Sequence, residues 1–121
     1  MRLGAFTSWN REGAIMVTVV TTDAFQSIIS ETGIPVVIDF WASWCGPCRS
    51  FASVIDRLAE EFEGRIYFGK INVDDEPKLA EKFRVMSIPT VGIFSGGELK
   101  ETLVGSRGYQ DMVNLLELYL I

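Results

Sequence analysis

The run Val36-Val37-Ile38-Asp39-Phe40-Trp41 is apolar on both faces of an extended chain, with Asp39 as its single charged member. A strand with no polar face has no solvent side, so it belongs at the centre of a sheet covered by other elements. Gly33-Ile34-Pro35 precedes it as a breaker, and Trp44-Cys45-Gly46-Pro47-Cys48-Arg49 follows it closely. The rest of the chain must therefore supply neighbouring strands and covering helices.

The order of the other segments meets that demand. Val17 to Thr21 is short and β-branched, and Thr22 or Asp23 is placed to cap a helix carrying Phe25, Ile28 and Ile29. Beyond the cysteines, Phe51, Val54, Ile55, Leu58, Ala59 and Phe62 recur at helical spacing, with Gly64 as the stop. Ile66 to Val73 reads as a third strand. Asp74-Asp75-Glu76-Pro77 then caps a short helix through Phe83, with Pro77 suited to its first turn. Strand, helix, strand, helix, strand implies parallel pairing with right-handed crossovers. The last third changes pattern, because Thr90 to Phe94 and Leu99 to Val104 flank Ser95-Gly96-Gly97-Glu98, a hairpin signal. Ser106 is placed to cap a closing helix whose apolar stripe is Tyr109, Met112, Val113, Leu116, Tyr119 and Leu120.

At 121 residues this is one α/β domain, large enough to bury a core without disulfide staples or metals. A net charge of -5 gives no basic footprint for nucleic acid. No apolar run approaches the length of a membrane span, and Met1-Arg2-Leu3-Gly4 lacks the apolar core of a signal peptide, so a cytoplasmic protein is the expectation. The organisation reads as an N-terminal extension over residues 1–15 and a domain over residues 16–121. In the extension, Leu3, Phe6 and Trp9 are spaced by three, as on one face of a short helix; a flexible arm is the other reading.

Cys45 and Cys48 are the only cysteines. If a helix begins at Cys45, the first thiol meets unpaired backbone N–H groups and the positive end of the helix dipole. A free cysteine is only a few per cent thiolate at pH 7, and a dipole effect of up to ~2 kcal/mol raises that to about half. Cys-x-x-Cys between a strand and a helix thus reads as a thiol–disulfide site. The other readings are a zinc site, for which the chain lacks any His and a third Cys, and an inert disulfide, which would close too small a loop to stabilise much. Asp39, inside an apolar strand, should have a raised pKa and hold or relay a proton, unless it is simply a hydrogen-bonded core carboxyl with Lys70 a solvated edge charge.

From about Val17 to Leu120 the chain resembles the thioredoxin family. The resemblance rests on Val37-Ile38-Asp39-Phe40-Trp41-Ala42, Trp44-Cys45-Gly46-Pro47-Cys48, Lys70-Ile71-Asn72-Val73-Asp74, Ile88-Pro89-Thr90 and Gly105, in family order and at family-like spacing. It implies a thioredoxin fold, a central mixed five-stranded sheet flanked by four helices. The family is itself a standard example of a thiol pKa lowered at this position, so the dipole estimate agrees with it and is no independent result. Ser53 stands where many members carry a helix-kinking proline, which leaves the helix straighter or bent by another cause. The extension is a second departure, while Ser43 is a tolerable exchange.

By the same resemblance, Cys45 attacks a protein disulfide and Cys48 resolves the mixed disulfide. Asp39 takes the proton from Cys48, and Lys70 modulates it. The Ile88–Pro89 bond is cis and brings the Ile88 backbone alongside an extended substrate. Trp44, Gly46, Pro47, Ile88, Pro89 and Gly105 then frame an uncharged docking surface; Trp41 reads equally well as packing on the helix. The Gly46-Pro47 spacer goes with reducing members of the superfamily. The implied activity is protein-disulfide reduction by a monomer that thioredoxin reductase re-reduces. The chain has no G-x-G-x-x-G loop, so no nicotinamide or flavin, and no metal, is expected beyond the redox-active Cys45–Cys48 pair. An oxidant or isomerase on the same fold, or a binding module without electron transfer, are the rival functions.

Overall fold

The computed structural model describes Ser8–Trp9 and residues 15–121, with side chains from Met16 onward. Along the chain run β1 (Ser8–Trp9), β2 (Ile15–Val19), α1 (Thr22–Glu31), β3 (Val36–Trp41), α2 (Gly46–Glu61) and β4 (Tyr67–Asn72). There follow α3 (Pro77–Lys82), β5 (Thr90–Ser95), β6 (Glu98–Val104), α4 (Tyr109–Glu117) and a 3-10 turn at Leu118–Leu120. The strand order is β1-β2-β4-β3-β5-β6. The five longer strands form the mixed sheet implied by the sequence, with four helices around it.

β3 occupies the interior position its composition requires. It pairs in parallel with β4, Asp39 opposite Lys70, and antiparallel with β5, Asp39 opposite Val91. Five of its six residues are buried. Alternate side chains enter separate cores. Val37 joins Val17, Phe68, Val91 and Ile93 beneath Phe51, Ile55, Leu58 and Phe62 of α2 and its C-cap, and Met112 and Leu116 of α4. Val36, Ile38 and Phe40 face α1 and α3, where Phe25, Phe83 and Phe94 stack with ring centroids 5.3–5.5 Å apart. Tilted and edge-on contacts of this kind add to the burial of the rings.

Local chemistry explains the boundaries. Thr21, one residue earlier than expected, caps α1: its hydroxyl accepts from the Ala24 N–H, and the Glu76 carboxylate takes the Thr22 N–H and hydroxyl at 2.8 Å each. Glu76 thus binds the start of α1 as well as preceding Pro77. The Ser106 cap is also displaced, since Gly108 is the N-cap of α4 and provides no side-chain hydrogen bond. Gly96 and Gly97 both adopt positive φ, as a two-residue hairpin turn between β5 and β6 requires. α2 is one continuous helix of 16 residues, with Ser53 donating its hydroxyl to the Ser50 carbonyl.

In the N-terminal region, Ser8 and Trp9 form an extended strand antiparallel to β2, so at Trp9 the chain is neither the helix face nor the flexible arm read from the sequence. Leu3 and Phe6 lie outside the described residues. Among the described residues no helix is long and apolar enough to cross a membrane.

Candidate active site

The parallel strands β2, β3 and β4 end on the same side of the sheet, and the chain leaving β3 turns through Ala42 into α2. The Cys45 N–H donates to the Ala42 carbonyl at 3.2 Å, and Cys45 becomes the N-cap of α2. Its Sγ accepts the Cys48 N–H at 3.1 Å, so the sulfur fills the role that a Ser or Asp oxygen commonly plays at this position. Gly46 and Pro47 occupy the first two helical positions, where the missing Pro47 N–H leaves no intrahelical bond unmade. Cys45 and Cys48 are joined by a disulfide, with Cα atoms 5.3 Å apart. Both residues are buried, at 5% and 2% exposure.

The loop before β5 forms the opposite wall. The Ile88–Pro89 bond is cis, and the Ile88 carbonyl lies 3.8 Å from Cys45 Sγ. A disulfide sulfur has no proton to give, so this is a contact in the oxidised state; in the dithiol the same geometry allows S–H···O. Gly105, at φ +92°, donates its N–H to the Pro89 carbonyl at 2.8 Å and ties the start of α4's connection to this loop. Thr90 donates its hydroxyl to the Ser87 carbonyl at 2.6 Å.

Two cavities lie near the disulfide, one lined by its neighbours Trp44 and Ile88 and the other by Cys48 itself. An open groove of about 390 Å³ is lined by Trp44, Val73, Val85, Met86, Ser87 and Ile88, none of them charged. Trp44 is 66% and Met86 92% exposed. The indole N–H of Trp44 donates to Asp74 Oδ2 at 2.8 Å, which fixes the ring as a wall of the groove. The second cavity, about 280 Å³, is lined by Asp39, Trp41, Ser43, Cys48, Arg49, Ala52 and Lys70. It lies on the α2 face of the sheet and places Asp39 and Cys48 in one space.

Asp39 is buried, and its Oδ1 has no hydrogen-bond partner among the described residues. Burial raises its pKa from the ordinary 3.8 to about 7; Lys70 opposes the rise and Asp56 adds to it. Lys70 is only 8% exposed, with Nζ 5.4 Å from the centre of the Trp41 ring. Asp39 is thus a buried carboxyl with one oxygen unpartnered among the described residues, and Lys70 is buried rather than a solvated edge charge.

The structure brings together every site residue the sequence suggested: Cys45, Cys48, Asp39 and Lys70 about the disulfide and its cavity, Trp44 and Ile88 along the groove, Gly46 and Pro47 at the helix start, and Pro89 with Gly105 behind Ile88. Sequence reasoning missed the pairing of Asp74 with Trp44 and the contribution of Val73, Val85 and Met86 to the groove. Asp74 lay in a recognisable acidic turn, yet nothing local in that turn signals a partner thirty residues earlier. Among the described residues no group of three or more His, Cys, Asp or Glu is gathered as metal ligands would be.

A disulfide at the N-terminus of a helix, near an apolar groove at the end of an α/β sheet, is the arrangement of a thiol–disulfide oxidoreductase. The thioredoxin family model matches residues 16–117. The chain is 40% identical over 101 residues to the chloroplastic M-type thioredoxin of Chlamydomonas reinhardtii, an alignment covering 84% of this chain and 72% of that protein. It is also 40% identical over 101 residues to thioredoxin 1 of Nostoc sp., covering 84% of this chain and 94% of the relative. With the chloroplastic M-type thioredoxin of Spinacia oleracea the identity is 41% over 101 residues, covering 84% of this chain and 56% of the relative. The chain belongs to the thioredoxin family, and it carries out dithiol–disulfide exchange through Cys45 and Cys48.

Proposed function

We propose that this exchange runs in the reducing direction: a separate thioredoxin reductase delivers two electrons to the Cys45–Cys48 disulfide, and the dithiol passes them to disulfides of client proteins. The protein works as a monomer in a reducing aqueous compartment such as the cytoplasm, with no nicotinamide, flavin or metal of its own. What supports the reducing direction is the Gly46-Pro47 spacer, which goes with reducing members of the superfamily; the different setting of the two sulfurs, Cys45 at the N-cap and Cys48 against the Asp39 cavity, supports their separate roles.

The chemistry follows from those settings. A client segment lies along Ile88 and Trp44, where backbone pairing and flat apolar contact accept varied sequences. The Cys45 thiolate, stabilised by the Cys48 N–H and the helix dipole, attacks one client sulfur; the client S–S bond breaks and its other sulfur leaves as a thiolate. Asp39 takes the Cys48 proton through the shared cavity, while Lys70 favours the ionised carboxylate that accepts it. Cys48 then attacks Cys45 Sγ, the mixed disulfide breaks, and the client leaves as a dithiol. Two electrons have moved and the Cys45–Cys48 disulfide is restored.

Oxidation of a reduced nicotinamide by a thioredoxin reductase, measured with this protein and a disulfide-bonded protein substrate, tests the direction of flow. The expected result is turnover that depends on all three components and is lost in Cys45→Ser. Turnover no greater than that of Cys45→Ser would overturn the proposal.

A further inference from the structure

The mechanism leaves one question at its centre: what holds the buried Asp39 poised between its protonated and ionised forms. Three elements pack against it, and each presents a definite set of charges. β5 contributes none, since Val91 lies opposite. β4 contributes Lys70, directly opposite in the parallel register. α2 contributes the Cys48 sulfur and Arg49 within the cavity wall, and Arg49 is held aside by donating from Nη1 to the Ser43 carbonyl at 2.9 Å.

α2 also carries Asp56. On a helix, residues three, four and seven apart share one flank. Arg49 and Ala52 both line the Asp39 cavity, and Asp56 follows four residues after Ala52 and seven after Arg49, on the same flank and on the solvent side. Lys70 from the sheet thus lines the cavity, and the Asp56 carboxylate lies one helical turn beyond the lining residue Ala52.

We propose that Asp56 is a positioning residue for the thiol–disulfide reaction: from the flank of α2 that lines the Asp39 cavity, its negative charge opposes Lys70 and keeps Asp39 able to hold the proton that Cys48 gives up. A like charge nearby disfavours ionisation, and Asp56 acts on Asp39 in that sense, behind the larger effect of burial and against Lys70. Asp56 touches neither sulfur. It works through Asp39 alone, so the inference rests on the reading of Asp39 as the proton acceptor.

The test is the pH profile of the resolving step, followed as release of a preformed mixed disulfide between Cys45 and a small aromatic thiol, in the wild type, Asp39→Asn, Asp56→Asn and Asp56→Glu. Wild type is expected to show an inflection near neutral pH that Asp39→Asn abolishes. Asp56→Asn should move that inflection to lower pH, on the order of half a pH unit at low salt and less at high salt, because the helix flank is exposed and its charge is screened. Asp56→Glu should restore the wild-type position. A structural role alone would alter stability or overall rate without moving the inflection. If Asp39→Asn retains the inflection, the proton-acceptor reading fails. If Asp39→Asn removes it but Asp56→Asn leaves it in place, the reading of Asp39 stands and the role of Asp56 is refuted.

Discussion

Asp39 links the chemistry of the site to the stability of the protein. Its pKa is about 7 when folded and returns to its ordinary 3.8 when the chain unfolds. Below pH 4 both states are protonated; between about 4 and 7 the folded state keeps a proton that the unfolded state has lost, so stability falls as pH rises through this window. Integrated over the window, the loss is on the order of 4 kcal/mol. Asp39→Asn removes the ionisation. In urea denaturation of the oxidised protein it should be more stable than wild type at pH 8 by up to a few kcal/mol, with the difference shrinking toward pH 5. Equal differences at both pH values would show that Asp39 is not strained by burial. Asp39 was legible in the sequence because it is the single charge in an apolar strand. The burial of Lys70 was not, since it depends on β4 being enclosed between β2 and β3, and Met86 gave no sign because a groove residue is defined by what lies across from it.

The elements show where sequence patterns decide structure and where tertiary contacts overrule them. β3 matches its apolar run residue for residue, because a strand buried on both faces leaves a continuous signal. The caps were harder to place: Thr21, Thr22 and Asp23 are all competent N-cap residues, and the choice falls to Thr21 once Glu76, more than fifty residues away, takes the Thr22 donors. β1 carried no strand signal, since two residues are too few to show a period. Two substitutions probe the packing of these elements. A Cβ at Gly69 in β4 would lie 2.6 Å from a methyl of buried Val20 and 3.1 Å from Ile38 Cδ1, so Gly69→Ala should cost about 1–3 kcal/mol through overpacking. Arg84, just past α3, adopts φ +54°, a region that penalises a side chain. Exposed and outside the disulfide site, Arg84→Gly should gain on the order of 0.5–1 kcal/mol. Thermal or urea denaturation checks both; a neutral Gly69→Ala would mean that Val20 gives way freely.

On the scale of the whole molecule, the sheet brings three distant stretches of chain to one end: the exit from β3 with both cysteines, the turn after β4 with Asp74, and the loop before β5 with Ile88 and Pro89. Helices on both faces bury everything between them, and the groove is the apolar surface left open beside the disulfide. In the proposed mechanism this division lets Cys45 meet the client and Cys48 the carboxylate, although only two residues separate them. The central claim is that Cys45 attacks and Cys48 resolves. Its most direct test is the intact mass of Cys48→Ser, first reduced and then mixed with a disulfide-bonded protein. The account predicts a stable one-to-one mixed disulfide, mapped by peptide analysis to Cys45. Absence of any adduct, while Cys45→Ser forms one at Cys48 under the same conditions, would contradict it.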